Sequence, residues 1–232
     1  MEKNNYKVEF DNISSNYYKI LNKGLSISGE NASYFAKKRV THTANLLSSD
    51  EQKPQRIMDY GCGIGGSIKH LIDAFNPTNI LAVDSSQKSL QLLDKNYSSK
   101  KIELLQVPKK AKELCDLCFC NGVFHHIPLE KRDEAVSYIF KSLHSGGKLF
   151  FWENNPWNPA THWVMNRISF DRDANKIFPH QARELLKKGG LKVKLTHYFF
   201  IFPNSLRILR PLEKLLVSIP IGCQYLIMAE KT

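Results

Sequence analysis

The sequence predicts an α/β domain built on a mostly parallel sheet with helices on both faces. Three observations predict it. From residue 56 to about 153, short apolar runs alternate with amphipathic segments, the signature of β-α-β units. The first run, Arg56–Tyr60, passes into Gly61-Cys-Gly-Ile-Gly-Gly66, a glycine turn that opens a helix. Asp84 then closes the second run, about 20 residues beyond the glycines, where a ribose-binding acid is placed in such folds.

The elements follow in order. Arg56–Tyr60 is strand one, and a helix runs from about Ser67 to Phe75. Asn79–Asp84 is strand two; Ser85 or Ser86 caps a helix carrying Leu90, Leu92 and Leu93. Ile102–Val107 is strand three and Asp116–Asn121 strand four. Leu129–Leu143 places Ala135, Val136, Ile139, Phe140 and Leu143 on one helical face. Gly146-Gly147 stops that helix, and Lys148–Trp152 is strand five. A helix at Pro179–Lys188 and strands at Leu191–Phe200 and Cys223–Ala229 complete the scheme.

Residues 1–55 read as an N-terminal helical cap, with Tyr17, Tyr18, Tyr34, Phe35 and Val40 as apolar positions. Residues 56–232 form the main domain, with lid insertions near 154–177 and 203–221. The first insertion contains Asn154-Asn-Pro-Trp-Asn-Pro159, too interrupted for a sheet element, and Thr161–Ile168 behind it is a candidate helix. The second places Leu206, Ile208, Leu209, Leu212, Leu215, Leu216 and Val217 beside Arg207, Arg210 and Lys214. An amphipathic helix there packs on the domain, or rests on a membrane surface through 203–217 as a peripheral contact.

Composition narrows the function classes. A chain of 232 residues buries a real core in one domain. The start, Met-Glu-Lys-Asn-Asn-Tyr-Lys, lacks the apolar core of a signal peptide, and no run is long enough to span a bilayer, so a cytoplasmic location is expected. Five cysteines, an odd number, fit a reducing compartment. Cys115, Cys118 and Cys120 crowd one strand without a second CxxC or a His pair, so no metal site is expected of them. The net charge of +11 raises an acidic partner as a question. Lysines 100, 101, 109, 110 and 112 flank one strand, and Arg183 to Lys214 is rich in Lys and Arg, but neither is a continuous run and no RNA-binding signature accompanies them. Nucleic acid is not the expected partner.

The glycines alone suit several ligands: a nicotinamide, a nucleoside triphosphate, S-adenosylmethionine, or none. No Lys-Ser/Thr follows them, which excludes the P-loop. Asp84 can accept from both hydroxyls of a ribose, or else cap the following helix. Asp59 separates the remaining candidates. A charged residue two positions before the first glycine sits badly beside a pyrophosphate and suits a ligand with an ammonium or sulfonium group.

At this point the chain resembles the class I S-adenosylmethionine-dependent methyltransferases, in their small-molecule (type 11/12-like) branch. Asp59-Tyr-Gly-Cys-Gly-Ile-Gly65 is similar to their first motif and Val83-Asp-Ser85 to their second. Asp116-Leu-Cys-Phe-Cys-Asn-Gly-Val-Phe-His-His-Ile-Pro128 is similar to the strand-four motif, and Gly146-Gly-Lys-Leu-Phe-Phe-Trp-Glu153 to that of strand five. The resemblance covers about residues 30–200. It implies a Rossmann-like, seven-stranded, mostly parallel sheet whose last strand inserts antiparallel. It implies S-adenosyl-L-methionine as cofactor, S-adenosyl-L-homocysteine as product, and a small-molecule methyl acceptor.

Carried over by position, Asp59, Gly61, Gly63 and Gly65, with Cys62 in the same turn, would line the methionine part of that cofactor, and Asp84 with Ser85 its ribose. Asn121 and Gly122 would approach from the end of strand four; Tyr34 and Arg39 would close the site from the cap. The acid that the family often has just after strand three is missing from Leu105-Gln-Val-Pro-Lys-Lys110, which leaves backbone and apolar contacts for the adenine.

His125, His126 and Glu153 are the catalytic candidates, His126 first, since a His near neutrality can deprotonate a hydroxyl. Each also has a plain structural use. Trp157, His162, Trp163 and Arg167 are the candidate acceptor contacts of the first lid. Methyl transfer to an oxygen or nitrogen of a sugar, lipid-linked glycan or secondary metabolite is the expected activity. An RNA or protein methyltransferase, and a methyltransferase-fold binding protein without activity, are the alternatives.

Overall fold

A computed structural model of the chain describes residues 14–48, 52–97, 99 and 101–232. Lys100 and the first 13 residues of the proposed cap lie outside them. Two helices, α1 (Tyr17–Leu25) and α2 (Ala32–Leu46), precede the sheet. Then come β1 (Arg56–Tyr60), α3 (Ile68–Phe75), β2 (Asn79–Asp84), α4 (Gln87–Asn96), β3 (Ile102–Gln106) and β4 (Cys115–Asn121). The second half runs α5 (Arg132–Ser142), β5 (Leu143–Asn154), α6 (Pro159–Arg167), α7 (Pro179–Lys188), β6 (Leu191–Phe199), α8 (Glu213–Leu216) and β7 (Gln224–Lys231).

The seven strands form one sheet in the order β3-β2-β1-β4-β5-β7-β6. The first five pair parallel, and β7 enters antiparallel between β5 and β6, with Trp152 opposite Leu226 and His197 opposite Leu226 on the other side. Both faces are buried, which explains why the strands read as continuous apolar runs rather than alternating ones. Met58, Leu81, Cys118, Phe151 and Ile227 face α5 and α7, meeting Ala135, Val136, Ile139, Ala182 and Leu186. Their neighbours Ile57, Ile80, Phe119, Phe150 and Leu226 face the other way and meet Val40, Ile68, Leu71, Phe75, Leu90 and Leu93 from α2, α3 and α4. Each buried Leu, Ile or Phe in these layers contributes about 1.5–3 kcal/mol.

Local signals set the helix starts. Asn31 caps α2 by accepting from Tyr34 N at 2.9 Å, and Ser86 caps α4 by accepting from Ser89 N at 3.0 Å. Asn158 caps α6, accepting from Ala160 N at 2.8 Å, with Pro159 at the first helical position.

Two segments differ from the expectation. The helix expected to run through Leu143 ends at Ser142, and β5 starts at Leu143, opposite Cys115. The register is irregular between Cys115 and Leu117, and Gly146, at φ +80°, lets the strand continue where a stop was expected. The amphipathic helix expected over 203–217 is instead a 3₁₀ segment, Asn204–Leu212, kinked at Leu206, followed by the single turn α8. Pro211 inside it removes a backbone donor, which breaks a continuous α-helix. No helix among the described residues is long and apolar enough to cross a membrane.

Candidate functional site

The carboxyl ends of the parallel strands carry two adjoining cavities. The smaller, about 410 Å³, lies over the glycine turn; the larger, about 900 Å³, lies between α1, α2, α6 and the segment after β6. Tyr17, Asn121, Gly122 and His126 line both.

The turn after β1 is pinned to β2 from its first residue. Gly61 N and Cys62 N donate to Val83 O at 2.7 and 3.0 Å. Asp84, at the end of β2, then accepts from Gly63 N through Oδ2 and from Ser86 N through Oδ1, each at 2.8 Å. One carboxylate thus shapes both the turn and the start of α4 while facing the smaller cavity. Gly63 has φ +52° and open space where a Cβ would project, so a side chain there would be strained and would intrude on that cavity. Gly61, Ser85, Val107 and Pro108 also line it, the last two as apolar surface beyond β3. Gln106 is turned away, its Nε2 donating to Ser85 O at 3.0 Å.

Three residues of the turn sit elsewhere than expected. Asp59, Cys62 and Gly65 line neither cavity. Asp59 is buried behind the turn with Oδ2 lacking a hydrogen-bond partner, and burial, aided by Asp84, pushes its carboxyl up to about 7. The Cys62 side chain joins the apolar core. Gly65 allows close approach of Tyr97, whose hydroxyl donates to Gly65 O at 3.1 Å.

The loop after β4 carries the histidines. Glu153 reaches across from β5, accepting from Phe124 N at 2.7 Å and meeting His125 Nδ1 at 2.6 Å. Asp171, from the stretch after α6, lies 3.4 Å from His125 Nε2 and 3.2 Å from His126 Nε2. The first of these is a charge contact without hydrogen-bond alignment. Burial alone would push the His125 imidazole down; the carboxylates of Glu153 and Asp171 overcome it and hold it up at about 10. His126 moves the other way, lowered by burial and by the charge on His125. Burial opposes ionisation of Asp171, but the two histidines hold it well below the usual carboxylate range.

The candidate base is therefore His126, neutral at pH 7 and facing both cavities, whereas Glu153 and His125 serve as its frame. Glu153 lines neither cavity and is 1% exposed. His125, His126 and Asp171 also offer three donor atoms within 4.8 Å of one another, a spacing that could close on a small cation. In the contacts they make, a buried imidazolium lies between two carboxylates.

The larger cavity gathers residues from distant parts of the chain. Tyr34 and Arg39, expected at the cofactor, line this cavity and not the smaller one. Arg39 Nε donates to Gln224 Oε1 at 2.8 Å, its guanidinium lies over Phe35 and Phe200, and burial lowers it to about 10. Of the four lid candidates only Trp163 lines the cavity. Trp157 stacks beside His180, His162 Nε2 is held 2.7 Å from Pro156 O, and Arg167 lies over the Trp163 ring. Tyr17 stood in the sequence only as an apolar position of the cap, and Phe170 and Asp171 carried no expectation. Tyr17 stacks on Phe170 at 5.1 Å between ring centroids, which ties α1 to the stretch carrying Asp171. The acid-aromatic cluster Phe170-Asp-Arg-Asp173 is the one sequence signal that could have marked the last two.

Residues 57–147 match the family model described as "Methyltransferase domain". Over those residues the chain carries a methyltransferase domain. Among curated relatives, the malonyl-[acyl-carrier protein] O-methyltransferase of Halalkalibacterium halodurans is 30% identical over 124 residues, covering 50% of this chain and 44% of that one. The trans-aconitate 2-methyltransferase of Rhodopseudomonas palustris is 23% identical over 141 residues, covering 60% and 54%. The chain thus spans about half the length of the curated relatives it matches. Solved structures show the same fold over nearly the whole chain. A TehB-like S-adenosylmethionine-dependent methyltransferase from Corynebacterium glutamicum has TM-score 0.61 at 13% identity, covering 97% of this chain and 99% of that one. The plantazolicin methyltransferase, solved with a triazolic desmethylPZN analog and S-adenosylhomocysteine, has TM-score 0.65 at 13% identity, covering 97% of this chain and 98% of that one.

Proposed function

We propose that this protein transfers a methyl group from S-adenosylmethionine, held in the smaller cavity, to an oxygen or nitrogen of a small molecule in the larger one. The observation that carries this is the shared wall: Tyr17, Asn121, Gly122 and His126 line both cavities, so ligands in the two would meet there. The smaller cavity fits the cofactor by its chemistry, with an open glycine at Gly63, a carboxylate at Asp84 for ribose hydroxyls, and the apolar pair Val107 and Pro108 for a base. The cofactor supplies an electrophilic methyl on a sulfonium; the acceptor's electron pair forms the new bond as the carbon–sulfur bond breaks and its electrons stay on sulfur.

The residues of the chain position the acceptor and take its proton. Positioning supplies most of the acceleration in such an in-line displacement. Asn121 and Gly122 define the floor at the end of β4. The His126 imidazole receives the acceptor's proton, and Asp171, 3.2 Å from its Nε2, orients the ring and stabilises the charge it gains. Trp163 and Arg39 border the acceptor space, with α1 and α2 acting as a cap and 154–177 and 203–221 as lids.

Isothermal titration with S-adenosylmethionine and S-adenosylhomocysteine tests the reading. Saturable binding of both is expected, followed by transfer of labelled methyl into a lysate small molecule that requires His126. Absence of cofactor binding by the wild type would overturn the proposal. Binding without transfer to any small molecule would favour a binding protein, and label in RNA or protein a macromolecular enzyme.

A further inference from the structure

The segment from Asn204 to Ile221 has its polarity reversed for a surface element. Its cavity side carries Arg207, Arg210, Lys214 and Val217, with Glu213 taken up by the backbone N–H groups of Ile201 and Phe202. Its solvent side carries Leu206, Ile208, Leu212, Leu215, Ile219 and Ile221, with Ile208 85% and Leu215 80% exposed. Water-exposed apolar residues are ordinary when scattered singly; six within one short segment mark a surface that meets something apolar. The same segment forms one wall of the larger cavity, which is lined elsewhere by hydrocarbon and aromatic side chains such as Leu21, Leu25, Phe35, Val164, Ile168 and Phe199.

We propose that this face docks on an anionic bilayer surface, and that the larger cavity takes the apolar part of an amphipathic methyl acceptor from that bilayer. The proposal rests on the methyl-transfer reading for the acceptor, and on the surface alone for the docking. Charge selects the occupant. Arg207 and Lys214 stand exposed at the cavity with no carboxylate partner among the described residues, while Arg210 pairs with Glu30 at 2.8 Å. The chain as a whole carries +11. Shallow insertion of aliphatic side chains between lipid headgroups, with cations at the phosphate level, is how an interfacial element binds an anionic leaflet. A second copy of this chain would set the same cations against each other. Single-stranded nucleic acid stacks on aromatic platforms, and the exposed residues here are aliphatic.

The test is flotation of the full chain with vesicles of phosphatidylcholine alone or mixed with phosphatidylglycerol, at low and high salt. Expected are strong partition to the mixed vesicles, weak partition to the zwitterionic ones, and weakening by salt. The double variant Ile208→Glu, Leu215→Glu is expected to lower partition by at least about tenfold, with melting temperature and S-adenosylmethionine binding unchanged because neither side chain lines a cavity. No flotation of a wild type that binds S-adenosylmethionine overturns the docking. So does equal flotation of the double variant, or light scattering that shows a dimer which that variant dissociates. Flotation by a chain that does not bind the cofactor upholds docking and overturns the methyl-transfer reading instead. For the acceptor, a membrane lipid extract is supplied with methyl-labelled cofactor. Label is expected in the organic phase, and its absence there overturns the amphipathic acceptor.

Discussion

Replacing Glu153 by Gln keeps the side chain's shape and removes one charge from the network beneath the shared wall. In the wild type Oε1 accepts from Phe124 N at 2.7 Å and Oε2 meets His125 Nδ1 at 2.6 Å, in a residue that is 1% exposed. An amide offers one acceptor where the carboxylate offers two, so either Phe124 N–H or His125 loses its partner. Breaking a buried ion pair from one side costs about 3–5 kcal/mol, and the hydrogen bond that survives returns about 1 kcal/mol. The expected loss is about 2–4 kcal/mol.

Its pH dependence follows from the two shifts. Burial works against the Glu153 charge, but His125 holds the carboxyl below its ordinary value, so that contribution is complete above an unfolded-state value of about 4.3 and is lost as pH falls through the folded one. His125 is held up at about 10, so its contribution is complete below about 6.5 and is lost as pH rises toward 10. The stability gap between wild type and variant is therefore widest at about pH 5–6.5 and narrows in alkali. Urea unfolding followed by tryptophan fluorescence at pH 6 and pH 9 measures it. A gap under about 1 kcal/mol at pH 6, or one indifferent to pH, would refute the charge network.

Three further perturbations probe the cavities. Asp84→Ala removes two 2.8 Å contacts and the carboxylate facing the smaller cavity, so calorimetry is expected to show S-adenosylmethionine affinity down by about 100-fold or more; an unchanged affinity contradicts the assignment. Gly63→Val places a branched side chain at φ +52° in open cavity space, and loss of cofactor binding is expected together with a lower melting temperature. His126→Asn is expected to lower kcat by about 10²–10⁴-fold while cofactor binding persists. Because burial and the charge on His125 lower the His126 pKa, the acid limb of the wild-type rate profile is expected below pH 6.5 and absent in the variant.

Much of this was legible in the sequence, for physical reasons. The strands of the parallel sheet are buried on both faces, so they announce themselves as apolar runs, and Asn79–Asp84 was placed to the residue. The glycine turn and Asp84 were visible because a tight turn and a strand-end acid are local in the chain. Cys62 and Asp59 show the limit of that reading: adjacency to a cavity-lining glycine does not say which way a side chain leaves the turn. Asp171 was invisible because its partners, His125 and His126, lie far back in the sequence, and no periodicity marks a long-range contact. Pro211 and the kink at Leu206 show the opposite failure, where a good apolar spacing promised a helix that the backbone could not complete.

Tyr17 is shared structure between the two cavities. Its ring belongs to the wall of both cavities and is stacked on Phe170, beside the aspartate that steadies His126. Molecules in the two cavities would rest against the same ring, so the shape of each space is set in part by one aromatic stack.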